Sequence, residues 1–243
     1  MRNCVLVFLG GVPAALAALE PPLWPLAFGI NATEGYTGKG RSTVSYFYDS
    51  RIPAEKWVRP ATGLHAQDNV CQGVDVPCAD LVVGGYRWII HPTSSECCLL
   101  GTFAQGCGPL YRDWARKLNA TYSGRSIVGG LEADQWDVQG FSTNRWYTPA
   151  LPSPLAGLPV KLNQGGFVND YVLSSFINAS EHPFAADVFQ VPAYCQPDRK
   201  CKSQIPCSLG DASTSSNGHS RSAGSSAAIG IRFQAGADTM FNV

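Results

Sequence analysis

The residues able to do chemistry in this chain are scattered rather than clustered. A nucleophilic serine is expected at a sharp Gly-x-Ser-x-Gly turn. The nearest approach, Gly218-His219-Ser220-Arg221-Ser222, lies in a low-complexity stretch. A Cys–His dyad could pair His91 with Cys97 or Cys98, since an imidazole activates a thiol. His65, His182 and His219 stand in polar, loop-like surroundings and read as solvated. Glu132, Asp134 and Asp137 gather near tryptophans, a mixture that glycosidases use, but Asp134 and Asp137 fall on opposite faces of a strand because side chains alternate. An acid pair for glycan hydrolysis would have to be assembled by folding, with two carboxyls about 5–10 Å apart on one wall. No Cys-x-x-Cys pair occurs and only four histidines are present, which argues against a zinc site. There is no His-Glu-x-x-His, Walker-type loop or dinucleotide fingerprint, and no acidic cluster specifies calcium. No catalytic residue, metal site or cofactor is assigned.

The cysteines speak to the compartment instead. Residues 1–17 form a short basic start (Arg2), an apolar run and an Ala-x-Ala pattern, which is the layout of a secretory signal peptide. The run is too short and too interrupted by Gly10, Gly11 and Pro13 to span a bilayer. Asn31-Ala32-Thr33, Asn119-Ala120-Thr121 and Asn178-Ala179-Ser180 are glycosylation sequons, meaningful only in the secretory pathway. Cleavage leaves Cys71, Cys78, Cys97, Cys98, Cys107, Cys195, Cys201 and Cys207, an even number that reads as a disulfide framework. Their connectivity is open. Cys97 and Cys98 are strained as mutual partners, so each is expected to reach a different distant cysteine. Cys195, Cys201 and Cys207 would then tie an extended segment, 196–207, back onto the body. The chain is expected to be secreted and extracellular, with the lumen of a secretory or lysosome-like compartment as the alternative.

Eighteen basic and eighteen acidic residues make up 15% of the chain. A neutral surface without basic clusters offers nothing to a phosphate backbone, which argues against nucleic acid. No second stretch is apolar enough to span a membrane. From Ser208 onward the composition turns to Ser, Gly and Ala, and 208–243 reads as a disordered tail.

Between leader and tail, period-two alternation dominates. Val44, Tyr46 and Tyr48 alternate with Thr43, Ser45 and Phe47; Trp136 and Val138 alternate with Gln135, Asp137 and Gln139. Further strands are expected in 81–90, 144–148, 158–162 and 167–176. Gly129-Gly130 reads as a turn or bulge. One segment departs from this pattern: Leu110, Trp114 and Leu118 recur at i, i+4 and i+8 after Pro109, which predicts a helix over 109–118 with one apolar stripe to bury on the sheet. The spacing predicts a mainly β protein with minor α: a curved antiparallel sheet, packed on one or two short helices and stapled by disulfides. Trp146 is expected beside Trp136 if a turn at 140–144 joins their strands. Tyr46, Tyr48, Trp136, Val138, Trp146, Leu162 and Phe167 then form a sheet face larger than one short helix covers. Uncovered apolar surface of that size becomes a cavity or an interface.

The order of these elements resembles the ependymin-related proteins and, more widely, secreted proteins with a fold like the lipoprotein carrier LolA. The resemblance is carried by Val44-Ser45-Tyr46-Phe47-Tyr48-Asp49, Arg87–His91, Cys97-Cys98, Ala133-Asp134-Gln135-Trp136, Arg145-Trp146-Tyr147-Thr148 and the segment Phe184–Cys195. It implies a β domain over 30–195, a half-barrel with a hydrophobic cavity in its concave face, and binding or carriage of a lipid-like molecule rather than catalysis. Dimerisation is known in that family, so a homodimer is a further expectation. The leading function is a secreted glycoprotein binding an apolar ligand; the alternatives are a glycan hydrolase and a matrix or adhesion module with a filled core.

All eight cysteines of the mature chain are expected to be paired. Mass analysis of the folded, unreduced protein after thiol alkylation should show no added label. Two or more labelled thiols would return the Cys–His and metal readings.

Overall fold

A computed structural model describes residues 19–38, 40–62, 71–139 and 142–202. The leader 1–17, the tail 208–243, Cys207, His65 and His219 lie outside the described residues. The strands are β1 (Ala27–Tyr36), β2 (Arg41–Asp49), β3 (Ala54–Arg59), β4 (Cys78–Val83), β5 (Tyr86–His91), β6 (Glu96–Thr102), β7 (Thr121–Val128), β8 (Leu131–Val138), β9 (Asn144–Pro149), β10 (Lys161–Gln164) and β11 (Phe167–Asn178). They form one open, curved antiparallel sheet in the order β6-β5-β4-β3-β2-β1-β11-β10-β9-β8-β7. Two meanders therefore meet at a single seam, β1 against β11, where Ala32 faces Tyr171 and Glu34 faces Asn169.

Alternation builds the faces as expected. In β2, Val44, Tyr46 and Tyr48 are buried while Thr43 is exposed, and in β8 Trp136 and Val138 are buried on one side. Gly129 and Gly130 form the two-residue turn between β7 and β8, where Val128 faces Leu131. Both have positive φ, 57° and 83°, a conformation that glycine adopts without steric cost. Strands β1, β3, β6 and β7 do not stand out from periodicity. β3 reverses the ordinary rule: its inward positions are Glu55, Trp57 and Arg59, so a polar-out pattern does not arise.

The concave face is covered by two short pieces of chain. Trp24, fully buried, precedes β1 and packs its indole against Phe28, Tyr48 and Trp146 at centroid distances of 5.4, 5.1 and 5.8 Å. Trp114, from the segment after β6, stands 4.9 Å from Trp146. The helix expected over 109–118 is only one turn, α1 (Trp114–Lys117), and a 3-10 turn lies at Phe103–Gln105. The reason is where the backbone bonds go. Leu110 N donates to the Glu55 carboxylate, and Arg112 O accepts from Trp24 N, so this stretch of chain serves the sheet and the N-terminal segment instead of a helical ladder. Leu110 and Trp114 are nevertheless buried in the core, and Leu118 packs at its margin.

The outer face has its own cover. Phe189, Val191, Tyr194 and Cys195 pack over Leu81, Trp88, Ile90 and Leu99, and Lys56 Nζ donates to the Val188 carbonyl. Adjacent residues of a strand point to opposite faces, and that separates Cys97 from Cys98: the first bonds Cys195, the second Cys201. Between these staples the chain bonds Leu99 from both sides, Leu99 N to Arg199 O and Cys201 N to Leu99 O, which closes the β6 edge. Cys71 bonds Cys78, and Cys107 is also disulfide-bonded.

Trp24→Ala should cost about 3–5 kcal/mol, the scale of removing a fully buried large aromatic. Urea denaturation measures it. A loss under about 1 kcal/mol would mean that the N-terminal segment merely lies on the molecule.

Candidate functional site

The sheet brings Tyr46, Tyr48, Trp136, Val138, Trp146 and Leu162 together in one buried cluster on the concave face. Trp136 and Trp146 stand directly opposite each other in the β8–β9 register. Phe167 sits apart, half-buried at the far end of β11, with its ring 5.2 Å from Tyr36. The centre of this wall is occupied by Trp114, buried on the sheet as its apolar stripe requires, and by Trp24, which sequence patterning does not place there. Trp24 lies before the first recognisable alternation, and nothing local marks it as core.

Two cavities among the described residues lie at the ends of this wall. A cavity of about 440 Å³ opens where β2 runs into β3, lined by Tyr48, Pro53, Phe103, Pro109, Leu110 and Tyr111, with Arg112 also on its wall. A smaller one, about 260 Å³, lies between the N-terminal segment (Leu19, Pro22, Leu23) and Asp134, Trp136 and Thr148. Of the seven residues named from the sequence, Tyr48 lines the first and Trp136 the second. The larger cavity falls within the range usual for small-molecule sites and is lined chiefly by apolar side chains.

Next to that cavity the concave face turns polar. Arg59 clamps Glu34 with two hydrogen bonds, 2.6 and 3.1 Å, and both side chains are buried. Arg87 pairs with Asp80. Burial works against the Arg87 charge, but the adjacent Asp80 carboxylate more than offsets it and raises the guanidinium pKa. Among the described residues no arginine pairs with Glu55. Its Oε2 accepts from Tyr46 Oη and Leu110 N, each at 3.2 Å. Burial pushes its carboxyl pKa up; the Arg87 charge opposes this and the Asp80 charge adds to it. Burial, and then Glu55, likewise hold the Tyr46 phenol well above its usual range.

Glu55 and Asp80 are thus two carboxyls on one concave wall, diagonal neighbours across β3 and β4 and roughly 7–8 Å apart at the backbone. Both are buried, and both are engaged by protein partners. The acids named from the sequence behave differently. Glu132 is exposed, Asp134 is buried against Arg125 and Tyr122, and Asp137 accepts from Gln135. His91 is buried, and burial lowers its pKa. Cys97 and Cys98 are both bonded elsewhere, which removes the thiols that a Cys–His dyad requires. Among the described residues no group of His, Cys, Asp and Glu is placed to hold a metal. Asn31 and Asn119 are exposed, Asn178 is half-buried, and none of the three lines either cavity.

The chain matches no family model and no curated protein. Among solved structures it is similar to an uncharacterized conserved protein from Thermus thermophilus, with 8% identity and a TM-score of 0.41 over 70% of this chain and 90% of that one. It is also similar to the MucA/MucB complex of Pseudomonas aeruginosa, with 17% identity and a TM-score of 0.40; the match spans 70% of this chain and 57% of that one. A LolA superfamily protein from Nitrosomonas europaea gives 8% identity and a TM-score of 0.33 over 70% and 92% of the two chains. No residue role passes to this chain from likenesses at these levels.

The raised Glu55 pKa has a definite sign in stability. The folded chain holds a proton that the unfolded chain releases near pH ~4.3. That contribution is present in full below the unfolded value and is lost as pH rises through the raised one. Glu55→Gln should therefore match wild type near pH ~4 and gain on it toward pH ~7 in denaturant titrations. A gap that is constant with pH, or that widens toward acid in the variant's favour, would contradict the assignment.

Proposed function

We propose that this chain is a secreted glycoprotein that binds a lipid-like ligand, with the apolar part of that ligand seated in the cavity at the β2–β3 end of the half-barrel. The observation that carries the proposal is the cavity itself: about 440 Å³ with an apolar lining, at the end of an aromatic wall whose centre is already filled. Residues of two elements, the β2–β3 turn and the Phe103–Arg112 segment, meet there without closing on each other. The resemblance to ependymin-related and LolA-like proteins belongs to this proposal and supports carriage over chemistry. Glu55 and Asp80 are clamped by their own neighbours, so the hydrolase reading has no accessible acid pair in this region.

The disulfides support an oxidising compartment, where such bonds persist. The leader and the sequons at Asn31, Asn119 and Asn178 favour the secretory pathway or the space beyond it. Trp24 and Trp114 in the middle of the wall favour one rival reading, a matrix or adhesion module with a filled core.

Calorimetric titration with oleate separates the two, with Gly108→Trp as the control. Gly108 lines the cavity, and a Cβ added there meets only the Phe103 ring at ordinary contact distance, so an indole built from it is expected to enter the space without unfolding the body. Wild type is expected to bind saturably near one equivalent, and Gly108→Trp to bind at least tenfold more weakly at an unchanged melting temperature. Equal binding by both proteins would put the ligand elsewhere. No binding by wild type would leave the filled module standing.

A further inference from the structure

Nine arginines lie among the described residues, and eight have a carboxylate oxygen within 4 Å: Arg41, Arg51, Arg59, Arg87, Arg116, Arg125, Arg145 and Arg199. The ninth is Arg112, and it lies on the wall of the larger cavity. Its place is built. Arg112 Nε donates to the Trp24 carbonyl at 2.6 Å, while Arg112 O accepts from Trp24 N at 3.0 Å. The guanidinium is held at the rim by one nitrogen, and no described carboxylate takes its two terminal nitrogens. Asp113 is next in sequence but forms no ion pair with it. Nearby, Lys117 Nζ stands 5.7 Å from the centre of the Tyr111 ring, which is part of the same lining. Deeper in, Tyr48 lines the cavity, and its hydroxyl is buried.

An apolar pocket with a single positioned cation at its mouth recognises one kind of molecule. The chain enters the pocket, and the charge meets a planar anion that fits the guanidinium fork. We infer that the ligand is a single-chain amphiphile with a carboxylate head, and that Arg112 is the residue selecting that head. This rests on the carrier reading and adds to it the class of ligand and a specificity determinant. The two bonds between Arg112 and Trp24 also tie the head-binding group to the residue that fills the sheet, so the rim charge is fixed relative to the cavity floor.

The test compares dodecanoate, dodecan-1-ol and acetate by calorimetry on the full chain, in wild type, Arg112→Lys and Arg112→Met. Wild type should bind dodecanoate at least tenfold more tightly than dodecan-1-ol and should not bind acetate at the same concentrations. Arg112→Met should abolish the difference between the two long chains by lowering dodecanoate affinity further than dodecan-1-ol affinity, and Arg112→Lys should keep part of it. Raising the salt concentration should weaken dodecanoate binding only. Equal affinity for the two long chains in wild type would overturn the head assignment while leaving the carrier reading intact. So would equal losses of both in Arg112→Met, which would make Arg112 a support for Trp24 only. Acetate binding as tightly as dodecanoate would make this a plain anion site and overturn the inference. Binding of neither long chain would sink the carrier reading itself.

Discussion

The structure depends on how a single curved sheet disposes of its concave aromatic face. Among the described residues the one sheet has no second sheet to pack against, so Phe28, Tyr46, Tyr48, Trp136, Trp146 and Leu162 need cover from elsewhere in the chain. Trp24 and Trp114 supply it from two separate stretches of the sequence, and their rings meet over Trp146. Burying an aromatic of this size contributes several kcal/mol through area alone, with edge-to-face ring contacts adding to it. Because the cover is two short segments instead of a layer, it closes the middle and stops at the ends. The larger cavity is what that arrangement leaves.

The same constraint explains the charged residues inside. β3 turns Glu55, Trp57 and Arg59 inward, and β1 and β4 answer with Glu34 and Asp80. A buried ion pair gives weak net stability, but removing one partner typically costs about 3–5 kcal/mol because the other charge is stranded. Losing one member of the Glu34–Arg59 or Asp80–Arg87 pair would therefore strand a charge near the β3 side of the sheet. Glu55 does something different. By accepting from Leu110 N it fastens the Phe103–Arg112 segment to β3, and so sets one wall of the cavity.

Much of the fold is legible because β2, β8, β9 and β11 follow the period of two, and the Trp136–Trp146 pairing follows from alternation and one hairpin. Cys97 and Cys98 part as strain between neighbours requires. The helix over 109–118 is an over-reading: an i, i+4, i+8 stripe reports burial on one side, and the backbone of Leu110 and Arg112 has better partners in Glu55 and Trp24. β3 escapes notice because its inward residues are charged, which the hydrophobic period cannot see. Trp24 escapes because a lone aromatic before a strand carries no period at all. For the site, residue types pick out side chains that the sheet gathers on one wall. Which part of that wall is filled depends on contacts between distant segments, such as Trp24 N to Arg112 O. Arg112 becomes conspicuous only when every other described arginine is seen to be paired.

The central claim is that a ligand's apolar chain occupies the cavity beside Tyr48 and Leu110. Photo-crosslinking with a fatty acid carrying a diazirine along its chain, followed by peptide mapping, tests it most directly. Label concentrated on the peptides bearing Pro53, Phe103 and Pro109–Tyr111, and competed away by unlabelled fatty acid, is the outcome the proposal predicts. Label spread over exposed residues such as Ile127 and Ile177, with no competition, would contradict it.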